Sequence, residues 1–308
     1  MLMATLWTWV RRVMALVLIA LYTSLTIADD TRGPPVIKVA AAKPEFAIAQ
    51  DYFVSLLKRA LELGAEGRTV PVVQETRLIE QKQGIQEMIR GKIIDVYWMG
   101  TDTSREEKLR AIPIPLDRGL MGYRRFIIRR DMALEFDNID TLSALANYTA
   151  CQGKHWPDTI VLKEAGLPVQ EIVSFERMFQ RLNLRECDYF PRGFFEPYSE
   201  LYVRQQIYPD LVLYEHLVLY YPFTLYFFLN KDDEALAQWI EQGLEKMIDS
   251  GEFIRHMQSH DLTRHAFPLH HLEDMRVIEL KNPNIPATTN YKNRRYWFQP
   301  DDFNHRHH

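Results

Sequence analysis

Cysteine is almost missing from this chain, two in 308 residues, which excludes a small scaffold stapled by several disulfides. Long hydrophobic runs are missing too. The apolar stretch near the N-terminus, Val13 to Ile27, has about 15 residues, short of the roughly 20 that a membrane span needs. Positive charge is not in excess: 37 Lys and Arg stand against 41 Asp and Glu, for a net charge of −4. Such a balance gives no footing for nucleic acid. There is no Gly-rich phosphate loop, Ser143 and Ser174 lack a G-x-S-x-G elbow, and no carboxylate pair falls in a glycosidase motif. His265, His270, His271, His305, His307 and His308 follow neither a zinc-finger nor an HExxH spacing, so a solvated C-terminal surface is expected rather than a metal site. No cofactor is implied, and nothing argues for an enzyme. Internal repeats and low-complexity linkers are absent as well.

What is present begins with Arg11 and Arg12 ahead of that apolar stretch, followed by the small-residue site Thr26-Ile27-Ala28. This is the layout of a cleaved export signal over residues 1–28. The arginine pair lacks the flanking Ser or Phe of a twin-arginine signal, so ordinary secretion is expected. Removing residues 1–28 takes away two arginines and no acid, which moves the net charge from −4 to about −6. The remaining chain of about 280 residues exceeds one small core, so two lobes are expected.

Strand and helix patterns alternate from Val36 onward. Val36 to Ala41 reads as a strand. Ala47 to Leu63 reads as an amphipathic helix closed by Gly64, Val70 to Val73 as a short strand, and Leu78 to Ile89 as a second helix ending at Gly91. Ile93 to Met99 is nearly all apolar, as in a parallel sheet covered on both faces. This βαβαβ order is the half-unit of an α/β lobe. A second series follows Asp131, with strands over 148–151, 169–173 and 188–190 and helices over 157–162, 175–182 and 196–206. An aromatic-rich extended segment covers 211–229, and a helix with a clean apolar stripe covers 233–250.

Gly119-Leu-Met-Gly-Tyr-Arg, Gly153-Lys-His-Trp-Pro-Asp-Thr, Asp188-Tyr-Phe-Pro-Arg-Gly and Ala235-Leu-Ala-Gln-Trp-Ile-Glu-Gln-Gly-Leu together carry a resemblance. Over about residues 36 to 290 the chain resembles the type II periplasmic solute-binding proteins, as a divergent relative of the amino-acid-binding (extracellular solute-binding family 3) group. The resemblance implies an α/β fold of two Rossmann-like lobes joined by two hinge strands, the periplasmic binding protein-like II class. Lobe 1 would comprise 36–123 plus 224–308, and lobe 2 would comprise 124–223. The crossings would run over Tyr123 to Ile128 and Tyr220 to Phe227. In that arrangement Cys151 and Cys187 are expected at opposite ends of neighbouring parallel strands, too far apart for the roughly 6 Å Cα separation of a disulfide, and hence free and buried.

Candidate contacts lie at strand ends and helix starts facing the cleft. Amino-acid-binding members commonly carry an Asp, a Gly five residues on, a Thr two further and an Arg seven after the Gly. Asp95 and Gly100 fit, but Asp102 stands in the Thr place and Glu107 in the Arg place, with Arg105 and Arg110 nearby. Thr101, Asp102, Thr103 and Arg105 either line the cleft or form a solvated turn and charged helix face. Lys154, His155 and Trp156 precede a helix opened by Pro157, a setting that attracts an anion. Alternatively, His155 or Trp156 merely caps and packs that helix. Gly193 stands where such proteins keep an acid for the ligand ammonium. Arg192 beside it either pairs with a ligand carboxylate or phosphate, or bridges to Glu196 and stiffens the loop. The aromatics from Tyr214 to Phe228 either stack on a ligand or, as expected for most of them, serve hinge and core packing.

Both poles of a zwitterion grip are thus altered, which argues against an ordinary α-amino acid. The expected function is a non-catalytic, monomeric periplasmic protein that closes on a small, polar, anionic solute. It would serve a membrane transporter, such as an ABC importer, or a sensor. The alternatives are a sensor or interaction protein that has lost solute binding, and an enzyme built on the same fold.

Overall fold

A computed structural model describes residues 34–269 and 275–303. The expected export signal, His270 and His271, and the three terminal histidines lie outside them. Eleven strands are found: β1 (Val36–Ala41), β2 (Val72–Leu78), β3 (Tyr97–Gly100), β4 (Arg110–Ala111), β5 (Tyr123–Arg129), β6 (Ala150–Gly153), β7 (Val169–Ile172), β8 (Tyr189–Gly193), β9 (Leu211–Tyr220), β10 (Leu225–Leu229) and β11 (Arg276–Glu279). The helices are α1 (Ala47–Leu63), α2 (Gln81–Arg90), α3 (Thr103–Lys108), α4 (Ala133–Phe136), α5 (Leu142–Leu145), α6 (Pro157–Glu164), α7 (Phe175–Asn183), α8 (Glu196–Tyr202), α9 (Glu234–Asp249) and α10 (Glu252–Ser259).

In the first lobe β1 pairs in parallel with β2, and β10 lies antiparallel between β3 and β4. The two pieces are joined where the Lys38 carbonyl accepts from Asp95 N at 2.8 Å and Val96 N at 3.3 Å. The Asp95 carboxylate accepts in turn from Lys38 N at 2.7 Å. The α1 residues Tyr52, Phe53, Leu56, Leu57 and Ala60 recur at helical spacing and are buried. They pack against α9, where Gly243 lets the two backbones approach: a Cβ there would lie 1.8 Å from the Ala60 carbonyl oxygen. Gly91 ends α2 in the left-handed region, with its N–H bonded to the Glu87 and Met88 carbonyls.

The second lobe is a six-stranded sheet in the order β11-β9-β5-β8-β6-β7. Its parallel strands β6, β7 and β8 carry α6 and α7 as crossovers. The chain enters on β5 and leaves on β9; Tyr123 at the start of β5 lies opposite Tyr220 at the end of β9.

Several expectations change: Leu78, expected in the second helix, ends β2, and β3, expected in a parallel sheet, runs antiparallel beside β10. The segment 211–229 is not one strand but two, β9 and β10, in different sheets, broken at 221–224 where the chain crosses between lobes. The short strand at Val70 moves to β2, beyond Pro71, which has no N–H to give a ladder. The expected helix over 196–206 stops at Tyr202. Cys151 and Cys187 are not free: they form a disulfide, with Cα atoms 5.5 Å apart. The reason is register. β6 begins at Ala150, opposite Tyr189 of β8, so Cys151 and Cys187 lie towards the same, N-terminal, ends of the two strands.

Candidate functional site

The first wall of the site starts where β3 ends. Gly100 is packed so tightly that a Cβ would sit 2.3 Å from the Phe223 ring. Thr101 is buried, its N–H held by the Thr224 carbonyl at 3.1 Å, and its hydroxyl donates to Glu106. Asp102 then caps α3, its Oδ1 accepting from Arg105 N at 2.8 Å. The Arg105 guanidinium folds back over this cap. It pairs with Asp102 Oδ2 at 3.0 Å, reaches Gln81 Oε1 at 3.2 Å, and donates to the Gly100 carbonyl. Only 9 % of Arg105 is exposed. Burial lowers its pKa, opposed by the Asp102 charge.

The facing wall comes from the turn between β6 and α6. Gly153 has no room for a Cβ, which would lie 2.4 Å from the Trp156 ring. Thr159 Oγ1 donates to the Gly153 carbonyl at 2.7 Å and Lys154 N donates to the Ile172 carbonyl at 3.0 Å, fixing the loop. Lys154 and His155 are exposed. Behind them Asp158, 5 % exposed, accepts from Arg124 of β5 and from the Tyr221 hydroxyl at 2.6 Å. Arg124 in turn lies over the Tyr221 and Phe223 rings at 5.3 and 4.9 Å. One buried carboxylate thus ties the start of α6 to both crossings. Burial raises the Tyr221 pKa well above its ordinary value.

Between the walls lies a cavity of about 330 Å³ lined by Asp102 and Arg105 from one lobe and by Lys154, His155, Trp156, Thr159, Lys163 and Glu171 from the other. Five of the eight expected residues therefore converge. Thr101 stands behind the wall. Thr103 turns away, its N–H and Oγ1 both directed at the Asn284 carbonyl at 3.0 and 3.2 Å. Glu107 is exposed on α3, and Arg110 is bound to Glu234 and Glu241.

Arg192 lies beneath the cavity floor, 6 % exposed. Its Nε and Nη2 grip Glu200 at 2.9 and 2.6 Å, and Nη2 also meets Glu196 at 2.8 Å. Its face covers Trp156, Phe190 and Phe175 at 4.9, 5.0 and 5.4 Å. Burial works against its charge, but the two glutamates outweigh it and the pKa is raised. Of the two expected roles, the bridge to Glu196 is the one this geometry displays, with Glu200 as a stronger partner. At the cavity's edge Phe46 of the first lobe meets Phe175 of the second, ring centroids 5.1 Å apart.

Asp158, Arg124, Tyr221, Phe46 and Glu200 were not singled out for the site from the sequence. Asp158 lies inside the Gly153–Thr159 motif, and its place one residue after a helix-opening Pro was the available signal. Nothing in the local sequence marks Phe46 or Glu200. Among the described residues no cluster of His, Cys, Asp and Glu suited to a metal ion is found, and no helix is long and apolar enough to cross a membrane.

No family model and no curated protein matches the sequence. Solved structures do match. An amino acid ABC transporter substrate-binding protein from Streptococcus pneumoniae, bound to L-arginine, aligns with a TM-score of 0.55 at 11 % identity, over 73 % of this chain and 93 % of that one. An ancestral arginine-binding protein bound to arginine gives 0.53 at 17 % identity, over 74 % and 98 %. A histidine kinase sensor domain with similarity to periplasmic binding proteins gives 0.53 at 15 % identity, over 75 % and 97 %. The shared property is the fold: this chain has the two-lobed architecture of the periplasmic binding protein-like II class.

Proposed function

We propose that the protein is a periplasmic, non-catalytic binding protein whose lobes, 36–123 plus most of 224–308, and 124–223 joined by the strand Arg276–Glu279, close on a small polar solute with an anionic end. The observation that carries this reading is the cavity lined from both lobes, with Asp102 and Arg105 facing Lys154, His155 and Trp156. A solute touching both walls gains contacts only in the closed form, so it shifts the population toward closure. The network of Asp158, Arg124 and Tyr221 links the contact loop to the crossings on which closure turns. The anionic preference follows from Lys154 and His155, beside a helix start that favours negative charge. The amino acids bound by the arginine-binding structures set a size class, and the missing arginine at Glu107 argues against an α-amino acid gripped by its carboxylate at α3. The partner would be a membrane transporter or a sensor, and export would use residues 1–28.

A thermal-shift screen of small anionic metabolites tests this. A solute at one hundred times its Kd adds about 2.7 kcal/mol, which for a chain of this size is a rise in Tm on the order of 5–10 °C. A broad screen in which no solute raises Tm overturns the reading. The second reading, a sensor or interaction protein that no longer binds solute, is favoured by two observations: the commitment of Arg192 to Glu196 and Glu200, and the Phe46–Phe175 contact bridging the lobes. Copurification with a membrane signalling protein, without any stabilising solute, would support it.

A further inference from the structure

We propose that the cavity is polarised, with an acceptor wall on the first lobe and a donor wall on the second. Its solute would then carry its anionic end at Lys154 and His155 and a hydrogen-bond donor, ammonium or hydroxyl, at the end facing Asp102. This rests on the reading of the cavity as a solute site. Most donors of the first wall are turned inside the chain, where three of the five Arg105 N–H groups find partners. The Thr101 hydroxyl goes to Glu106. All three guanidinium nitrogens of Arg105 are engaged, with Gly100, Gln81 and Asp102. The N–H and hydroxyl of Thr103 both go to the carbonyl of Asn284.

Asn284 is delivered by the C-terminal segment, which is anchored on the crossing between β9 and β10. Leu280 N donates to the Tyr220 carbonyl at 2.7 Å and Asn282 Nδ2 to the Pro222 carbonyl at 2.9 Å. Further on, Phe298 N donates to the Arg118 carbonyl at 2.9 Å, and the Trp297 ring fills the space where a Cβ on Gly119 would sit. The segment is therefore a strap that consumes the donors at the start of α3. Of the Asp102–Arg105 pair the carboxylate is the more exposed member, 18 % against 10 %, and although Oδ1 accepts from Arg105 N and Oδ2 pairs with Arg105 Nε, each oxygen keeps a lone pair for a solute donor.

The second wall is the reverse. Lys163 is held by Glu171, which uses the one carboxylate lining that side. Lys154 and His155 are exposed beside it, and among the described residues neither side chain has a hydrogen bond or ion pair within the chain. An acceptor wall repels a second carboxylate, because two like charges in a partly buried site cannot both be compensated. Discrimination therefore comes from the wall as well as from the grip.

Calorimetric titration with three four-carbon probes, γ-aminobutyrate, succinate and putrescine, separates the possibilities. γ-Aminobutyrate is expected to bind at least about tenfold tighter than the other two, a ratio that corresponds to about 1.4 kcal/mol. Asp102→Asn keeps the helix cap and is expected to narrow the γ-aminobutyrate to succinate ratio about tenfold. Lys154→Ala is expected to weaken the two carboxylate-bearing probes and, by removing a like charge, to strengthen putrescine. Succinate binding as tightly as γ-aminobutyrate, or a ratio unmoved by Asp102→Asn in a variant with wild-type circular dichroism, overturns the polarity. Failure of all three probes to bind at millimolar concentration overturns the solute reading itself.

Discussion

Replacing Arg192 with alanine distinguishes a structural arginine from a ligand contact. The substitution leaves Glu196 and Glu200, whose side chains are only 17 % and 11 % exposed, without their cation. Breaking a buried ion pair from one side costs about 3–5 kcal/mol, since the desolvated partner remains uncompensated. The lost stacking on Trp156, Phe175 and Phe190 adds roughly 0.5–1 kcal/mol. Against a total stability of about 5–15 kcal/mol this is a large fraction. Urea unfolding at pH 7 should therefore show a markedly lower midpoint for Arg192→Ala.

The deficit should also depend on pH. Burial raises the Glu196 pKa, with Arg192 the chief opposing influence; without Arg192 it rises further. The native state then holds a proton that the unfolded state has released, so the variant recovers stability as pH is lowered from 7 toward 5. A loss below about 1 kcal/mol, the scale of an exposed pair, would refute the reasoning. So would loss of solute binding with stability intact, which would return Arg192 to the binding surface.

Asp117 is fully buried between the crossings, accepting from Gly119 N, Met121 N and the Thr224 hydroxyl. Burial pushes its pKa up to about 6 from 3.8. The native state therefore binds more protons than the unfolded state between pH 4 and 6. As pH rises across that window stability should fall by about 2 kcal/mol, and the difference between wild type and Asp117→Asn in urea midpoints at pH 4 and 6 measures it; a pH-independent difference refutes it. The Cys151–Cys187 disulfide closes a sequence separation of 36, for which chain entropy gives about 4 kcal/mol; the double alanine variant should unfold at correspondingly lower urea, and an unchanged midpoint would contradict the bond. Gly243→Ala places a Cβ against the Ala60 backbone and should cost about 1–3 kcal/mol by overpacking, seen as a lower Tm with circular dichroism otherwise retained.

The alternation of apolar strands and amphipathic helices made the two α/β units legible, because burial imposes its period on residues such as Phe53, Leu56, Leu57 and Ala60. Periodicity says nothing of sheet membership, so β9 and β10 read as one aromatic run. A strand boundary misjudged by two residues at β6 was enough to misplace Cys151 relative to Cys187. In the site, the contact loops were visible from Gly153, Pro157 and Asp102, whose roles are local. The partners of Thr103 and Arg192 were less accessible: Asn284 lies 181 residues along the chain, and Glu200, one helical turn beyond Glu196, has no local signature for a buried pair.

A small solute with an anionic end is proposed to bind between Asp102 and the Lys154–Trp156 loop. The most direct test is the electron density in the inter-lobe cavity of protein purified from its native compartment without refolding. The account predicts a bound solute with its anionic end at Lys154 and His155, both lobes in contact with it. A cavity holding only solvent after soaking with a solute that raises Tm, or that solute bound elsewhere, would contradict it.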